Sequence, residues 1–164
     1  MVVMERIYLL VGTNIGLLET NLERALILLK ARSIEIIKKS RIYKTKPWGE
    51  VCQPDFLNMA LEVRTDLGAR ELLRTLKDIE REMGRQDSAG RWQPRVIDID
   101  ILFMDDLVID QADLTIPHKE FFNRPFAVRI LSEIAPAFRP PGVDRALCEY
   151  VRKGSDEGIE VYSD

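Results

Sequence analysis

The sequence predicts an α+β protein: a ferredoxin-like βαββαβ core, an antiparallel sheet with helices, plus a C-terminal hairpin strand and helices. Three observations carry that reading. Apolar residues alternate with polar ones over several short runs, the period-2 pattern of strands that cover a core on one face. Two longer stretches repeat their apolar residues at steps of three and four, as amphipathic helices do. The order of these segments is strand, helix, strand, strand, helix, strand, which is that of a split βαβ sheet.

Taken in order, Ile7 to Val11 reads as a buried strand ending in the turn Gly12-Thr13-Asn14-Ile15-Gly16. The glycines invite a phosphate-loop reading, but no Gly-Lys-Ser/Thr ending follows, and a plain strand-to-helix turn fits better. A helix is expected from about Leu17 to Ala31, with Leu18, Leu22, Ala25 and Leu29 on its inner face. Ser33 to Thr45 reads as one long strand, broken by Lys46-Pro47-Trp48-Gly49-Glu50. In Phe56 to Val63, Leu57, Met59, Leu61 and Val63 form the apolar face, while Phe56, Asn58, Ala60 and Glu62 point the other way. Phe56 beside Asn58 suits a flat heterocycle, which a ring stacks and an amide reads at its edge; by itself the pair fits better a covered sheet face with Asn58 bonded to backbone.

Leu67 to Met83 is the second amphipathic helix, capped by Asp66 and stopped by Gly84, with Leu72, Leu76, Ile79 and Met83 as its buried stripe. Lys77 and Glu80 sit together at its margin. A polar loop from Arg85 to Gly90 leads into the next strand. After Phe103, a turn at Met104-Asp105-Asp106 and a short strand over Leu107 to Ile109 are expected to make a hairpin. Beyond them come a helix through Ile130 and Ile134, a last helix over Arg145 to Val151 and a polar tail. The chain reads as a single domain over residues 1–164, with order or disorder of the tail after about residue 153 left open.

Composition narrows the function. Apolar content of 46% and charged content of 31% describe an ordinary globular protein large enough for its own core. A net charge of −3 argues against bulk nucleic-acid binding. Cys52 and Cys148 make neither a disulfide framework nor a zinc motif. No apolar run approaches the ~18 residues of a membrane span, and Glu5 and Arg6 interrupt any leader-like start. A cytoplasmic monomer that binds neither nucleic acid nor membrane is expected.

The most informative stretch runs from Arg91 to Phe103. From Val96 on, apolar residues alternate with acids, so Asp98 and Asp100 share one face, roughly 7 Å apart at about 3.3 Å of rise per residue. Ile97, Ile99 and Ile101 point the other way. Two carboxylates on a rigid strand can hold a hard cation such as Mg²⁺, and Arg91 and Arg95 can meet phosphates. The plainer reading is a solvated sheet face with arginine partners. Asp is disfavoured in strands, and two on one face repel unless a cation lies between them.

Set side by side, these residues resemble the 6-hydroxymethyl-7,8-dihydropterin pyrophosphokinase family over roughly Ile7 to Val151. The most specific match is Arg-Trp-x-Pro-Arg-x-x-Asp-x-Asp, here Arg91 to Asp100. Gly12-Thr13-Asn14, Tyr43-Lys44-Thr45-x-Pro47, Gln53 to Asn58, Glu80 to Arg85, Pro117-His118, Asn123-Arg124 and Phe126 support it in order. The resemblance implies transfer of pyrophosphate from ATP to the pterin's hydroxymethyl oxygen, releasing AMP, in folate biosynthesis, with two Mg²⁺ ions.

It further implies that Asp98 and Asp100 hold the metals, and that Arg85, Arg95 and His118 act on the phosphates. Lys77, Glu80, Trp92, Ile101 and Arg124 fall on ATP-side positions. Thr45, Pro47, Trp48, Phe56, Asn58, Trp92 and Phe126 fall on pterin-side positions, with Phe56 and Phe126 sandwiching the ring. A satisfied structural role for His118 stays open. Gln93 stands where the family commonly has Gly, and Asp87 where many members carry a second loop arginine; an acid there weakens phosphate stabilisation. A non-catalytic nucleotide- or pterin-binding module is the alternative that Asp87 favours and the intact acid pair opposes.

Overall fold

The computed structural model describes residues 4–47, 52–85, 94–151 and 158–164. Strands β1 (Met4–Thr13), β2 (Glu35–Lys39), β3 (Ile42–Thr45), β4 (Phe56–Thr65), β5 (Asp98–Met104) and β8 (Ile159–Ser163) form one six-stranded sheet. Its order is β5-β1-β4-β3-β8, with β2 also pairing β4, and every pairing is antiparallel. Helix α1 (Leu18–Ala31) connects β1 to β2, α2 (Ala69–Glu82) connects β4 to β5, and α3 (Pro125–Ile134) lies further on. β6 (Ile109–Asp110) and β7 (Thr115–Ile116) make a separate two-stranded sheet. Among the described residues no helix is long and apolar enough to cross a membrane.

Side-chain alternation gives the sheet two cores. Ile7, Leu9 and Val11 of β1, Leu57 to Val63 at every second residue of β4, and Ile99 and Ile101 of β5 pack with Leu22, Ala25 and Leu29 of α1 and Leu72, Leu76 and Ile79 of α2. The opposite face holds Tyr8, Leu10, Ala60, Leu102 and Phe103 under Ala127, Val128, Ile130 and Leu131 of α3. There Phe103 meets Phe121 and Phe138 edge-on at centroid distances of 4.8 and 5.1 Å. The cover given by α3 does not extend to the end of the sheet. Beyond Leu10 and Ala60 on that face come Gly12, Asn58, Asp98 and Asp100, and these line a cleft.

Several elements differ from expectation. The single strand over Ser33 to Thr45 is two, because Ser40 takes a ladder position with its side chain. Its N–H donates to Ala60 O at 2.9 Å while its Oγ accepts from Ala60 N at 2.9 Å. Lys39 pairs Leu61 and Tyr43 pairs Asn58, so this side of the ladder carries one residue more than β4. α2 begins after Gly68, whose extended backbone precedes it without a side-chain cap, so Asp66 is not the cap. Gly84, at φ +100°, does end the helix region as expected.

The expected hairpin of β5 with Leu107 to Ile109 does not form. Asp105 N–H donates to Arg6 O and Arg6 N–H to Asp105 Oδ1, which turns the chain off the sheet, and Ile109–Asp110 pairs with Thr115–Ile116 instead. The expected last helix is a 3-10 turn over Leu147–Tyr150. In the tail, Ile159–Ser163 is ordered as β8 against β3, and Lys46 N–H donates to Gly158 O at 3.1 Å. The polar residues preceding it hid this short strand, which lies at the sheet edge and exposes most of its side chains.

Candidate active site

The site forms at the end of the sheet where β1 passes into its turn. Thr13 Oγ1 donates to Val96 O at 2.6 Å, and Asn14 clasps Arg95 by its own backbone N–H (3.0 Å to Arg95 O) and its side-chain oxygen (2.7 Å from Arg95 N). Asn14 Nδ2 also donates to Gln53 Oε1 at 3.0 Å and Pro54 O at 3.1 Å. This one buried amide thus joins the segment entering β4 to the segment entering β5. Both segments then deliver their side chains to the same cleft.

On the β4 side, Phe56, Asn58 and Thr45 line the cleft together with Phe126 from the first turn of α3. Asn58 is buried and donates from Nδ2 to Thr45 Oγ1 at 2.7 Å. Phe56 and Phe126 offer two ring surfaces, and Asn58 with Thr45 a polar edge. That combination of stacking surfaces and an amide–hydroxyl pair accepts a flat, hydrogen-bonding ring.

On the β5 side stand the acids. Asp98 Oδ1 lies 2.9 Å from Arg85 Nη1 and 3.1 Å from Arg95 Nη1. Asp100 Oδ2 lies 3.7 Å from Arg124 Nη1 and 3.9 Å from His118 Nε2. Burial, then the Asp98 charge, push the Asp100 carboxyl up to about 7 against the pull of Arg124. A second positive charge at this spot would relieve that cost. Among the described residues no group of three or more His, Cys, Asp or Glu forms a metal cluster. By its oxygen donors the carboxylate pair fits Mg²⁺, which takes one or two carboxylates and completes its shell with water and phosphate oxygens.

Beneath the acids, Glu80 is buried at 1% exposure. Its Oε1 accepts from Ile99 N–H at 3.0 Å and its Oε2 from Arg85 Nη1 at 2.5 Å, with Lys77 Nζ 3.6 Å away. Burial and the Asp98 charge raise its pKa, while the Ile99 N–H, Lys77 and Arg85 oppose them. Glu80 therefore fixes the backbone between the two aspartates and aims Arg85 at Asp98. Burial works against the Arg85 charge, but Asp98 and Glu80 outweigh it and raise its pKa.

His118 is held by its N–H to Leu102 O at 2.9 Å, and its Nδ1 accepts from Glu120 N–H at 3.2 Å. Burial, then Arg124, lower its pKa to about 4. With Nδ1 accepting, the neutral ring carries its proton on Nε2, the atom facing Asp100.

A second cleft flanks the outer edge of β5, lined by Leu73 and Lys77 of α2, Ile101, Thr115 and Lys119. Asp100, His118 and Lys119 line both clefts. The structure thus brings Thr45, Phe56, Asn58, Phe126, Arg95, Asp98, Asp100, His118 and Arg124 to one cleft and Lys77 and Ile101 to its neighbour. Arg85 and Glu80 support the acids from below. Pro47 is half-buried just past β3 and lines neither cleft. Trp48 and Trp92, with Asp87, Arg91 and Gln93, lie outside the described residues.

A family model described as 7,8-dihydro-6-hydroxymethylpterin-pyrophosphokinase (HPPK) matches residues 8–136. The chain belongs to the HPPK family. It is 41% identical over 128 residues to the Bacillus subtilis 2-amino-4-hydroxy-6-hydroxymethyldihydropteridine pyrophosphokinase, covering 77% of this chain and 76% of that one. It is 43% identical over 132 residues to the Lactococcus lactis bifunctional protein FolKE, covering 80% of this chain but 38% of the relative. An Arabidopsis thaliana folate synthesis bifunctional protein is 38% identical over 130 residues, 79% of this chain and 27% of that one. The chain therefore spans well under half the length of these two-function relatives.

A solved Plasmodium falciparum HPPK-DHPS with pteroate shares the HPPK fold at a TM-score of 0.75 and 16% identity, over 95% of this chain and 46% of that one. The HPPK match runs from β1 through α3 and stops short of β8. Motif reading found most of the cleft, registered Gln53 only as a motif member, and passed over Lys46, Lys119 and Glu120, which also line it. Of Gly12 and Asn14 it registered only membership in a motif. Nothing local in the sequence marks the role of Asn14, because its partners are Gln53, Pro54 and Arg95.

Proposed function

We propose that this chain transfers the terminal pyrophosphoryl group of ATP to the hydroxymethyl oxygen of 6-hydroxymethyl-7,8-dihydropterin, releasing AMP, as a cytoplasmic step of folate biosynthesis. The observation that carries the proposal is the junction of two clefts at Asp100 and His118. One cleft presents rings and an amide, the other an apolar shelf with Lys77, and the acid pair lies where two substrates would meet. The strand order β5-β1-β4-β3 supports a ferredoxin-like reading of the core that carries them.

In this reading Phe56 and Phe126 stack the pterin, and Asn58 and Thr45 bond its polar edge. Lys77 and Ile101 border the nucleotide. Asp98 and Asp100 would hold two Mg²⁺ ions, which neutralise phosphate charge and acidify the attacking hydroxyl when bound. Arg85 and Arg95 both meet Asp98; once that carboxylate is otherwise engaged, Arg95 can turn donors to phosphate oxygens, and Arg85, still held by Glu80, can offer its remaining ones. His118 donates Nε2–H to a phosphate oxygen as a neutral group. The hydroxymethyl oxygen forms its bond to the β-phosphorus, the bond from that phosphorus to the α–β bridging oxygen breaks, and the hydroxyl proton leaves to solvent or phosphate. Positioning and charge compensation do the catalysis, and no covalent protein intermediate is required.

Product analysis with ATP, Mg²⁺ and the hydroxymethyl pterin tests this directly. AMP formed in step with pterin diphosphate is the expected result, and ADP would mean single-phosphate transfer and a wrong reaction class. Asp98→Ala and Asp100→Ala should each lower kcat by ~100-fold or more with the fold retained. Near-normal Mg²⁺-dependent turnover in either variant would remove the acid pair from the mechanism.

A further inference from the structure

β1 is the inner strand between β4 and β5, and Gly12 is its next-to-last residue. In the sheet register Gly12 lies opposite Asn58 on one side and opposite Asp98 on the other. Directly opposed residues share a face, so a side chain at position 12 would stand on the cleft floor between the amide and the first acid. A Cβ there would lie 2.4 Å from Asn58 Oδ1 and 3.6 Å from Phe56 Cδ1. Gly12 is not among the glycines at positive φ, so the backbone does not require glycine at this position; the space does. Asn58 has little room to yield, since it is buried and its Nδ2 is committed to Thr45 Oγ1 at 2.7 Å.

We infer that Gly12 is a positioning and specificity-determining residue of the pterin end of the site. Its missing side chain lets the Asn58 amide lie over the β1 backbone in register with Thr45, and it keeps the floor open from Asn58 to Asp98. The space so left accommodates a planar substrate whose short arm points at the acids. A Cβ at this position displaces the amide and breaks the reading edge while leaving the β5 cleft untouched. The ligand named here rests on the function proposed above; the steric part does not.

The test joins a ligand-free readout to a binding split. In ligand-free Gly12→Ala, the Asn58 side-chain amide resonances should move from their wild-type positions; unchanged resonances would overturn the steric role. With 6-hydroxymethyl-7,8-dihydropterin and MgATP titrated separately, Gly12→Ala should weaken pterin binding about tenfold or more, ~1.4 kcal/mol, and leave MgATP within about twofold. Equal losses for both ligands would mean general damage and overturn the assignment. In the Asn58→Ala background the clash is gone, so adding Gly12→Ala should change pterin affinity no further. A full second loss there would show that Gly12 does not act through Asn58. Should Gly12→Ala alone not fold, the Gly12→Ala/Asn58→Ala double variant should fold and bind pterin like Asn58→Ala; an unfolded double variant also overturns the proposal. If wild-type protein binds no pterin, the proposed function fails, and the resonance test still judges Gly12.

Discussion

Phe56 and Asn58 show how far single residues could be read. An aromatic and an amide on the non-core face of a strand were odd enough to notice, yet alternation alone fitted a covered face better. The cover given by α3 stops at Ala60 and leaves Asn58 at the open end of the sheet, lining a cleft. Asn14 could not be read this way, because its four hydrogen bonds reach Arg95, Gln53 and Pro54, all distant in sequence. Spacing puts Glu80 beside Lys77 at the margin of its helix but does not reveal that its carboxylate is buried against Ile99 and Arg85. Phe126 offers the cleanest prediction at this scale. Phe126→Ala removes one stacking surface from the first cleft and nothing from the second, so titrations should show pterin affinity falling about tenfold, consistent with ~1.5 kcal/mol for an aromatic stack, with ATP affinity unchanged. Equal losses for the two ligands would count against the stacking role.

At the scale of elements, the helices were legible because their stripes are long and regular, while joins were not. Ser40 interrupts a strand through a side-chain hydrogen bond that no periodicity encodes. The buried stripe of α2 makes its contribution measurable. Leu76 is fully buried between the helix and the sheet, so Leu76→Ala should lower unfolding free energy by about 2–5 kcal/mol in denaturant titrations.

α3 is fastened to β3 by a polar contact at its far end, where Glu133 accepts from Arg41 Nε at 2.5 Å and from Tyr43 Oη at 2.8 Å. Burial pushes the Glu133 carboxyl up, but those hydrogen bonds outweigh it and hold the carboxyl below its usual range. A carboxyl with a depressed folded pKa stabilises above its unfolded pKa, and that stabilisation fades as pH falls through the folded value. Glu133→Gln should therefore lower Tm at pH 7, with the deficit shrinking towards pH 3. A constant deficit across that range would show that the charge contributes nothing.

For the whole molecule, the mixture of helices with an antiparallel sheet was legible in the succession of periods, and the closing strand was not. β8 lies far from β3 in sequence, carries mostly exposed side chains and falls outside the residues 8–136 that match the HPPK family. It nevertheless completes the sheet beside Thr45 and Lys46, and Tyr162 Oη donates to Glu19 Oε1 of α1 at 2.7 Å. Removing residues 158–164 should lower Tm and leave β3 with an unpaired edge, which light scattering would detect as concentration-dependent self-association. A truncated protein that stays monomeric with an unchanged Tm would make β8 dispensable. The placement of β8 also sets an order of events during synthesis. β1 to β5 and all three helices are made before residue 159 is added, so the strand bearing Thr45 waits with one flank bare while the rest of the sheet assembles. For that interval the nascent chain presents a template for any extended segment nearby, until residues 159–163 are made and pair with that flank.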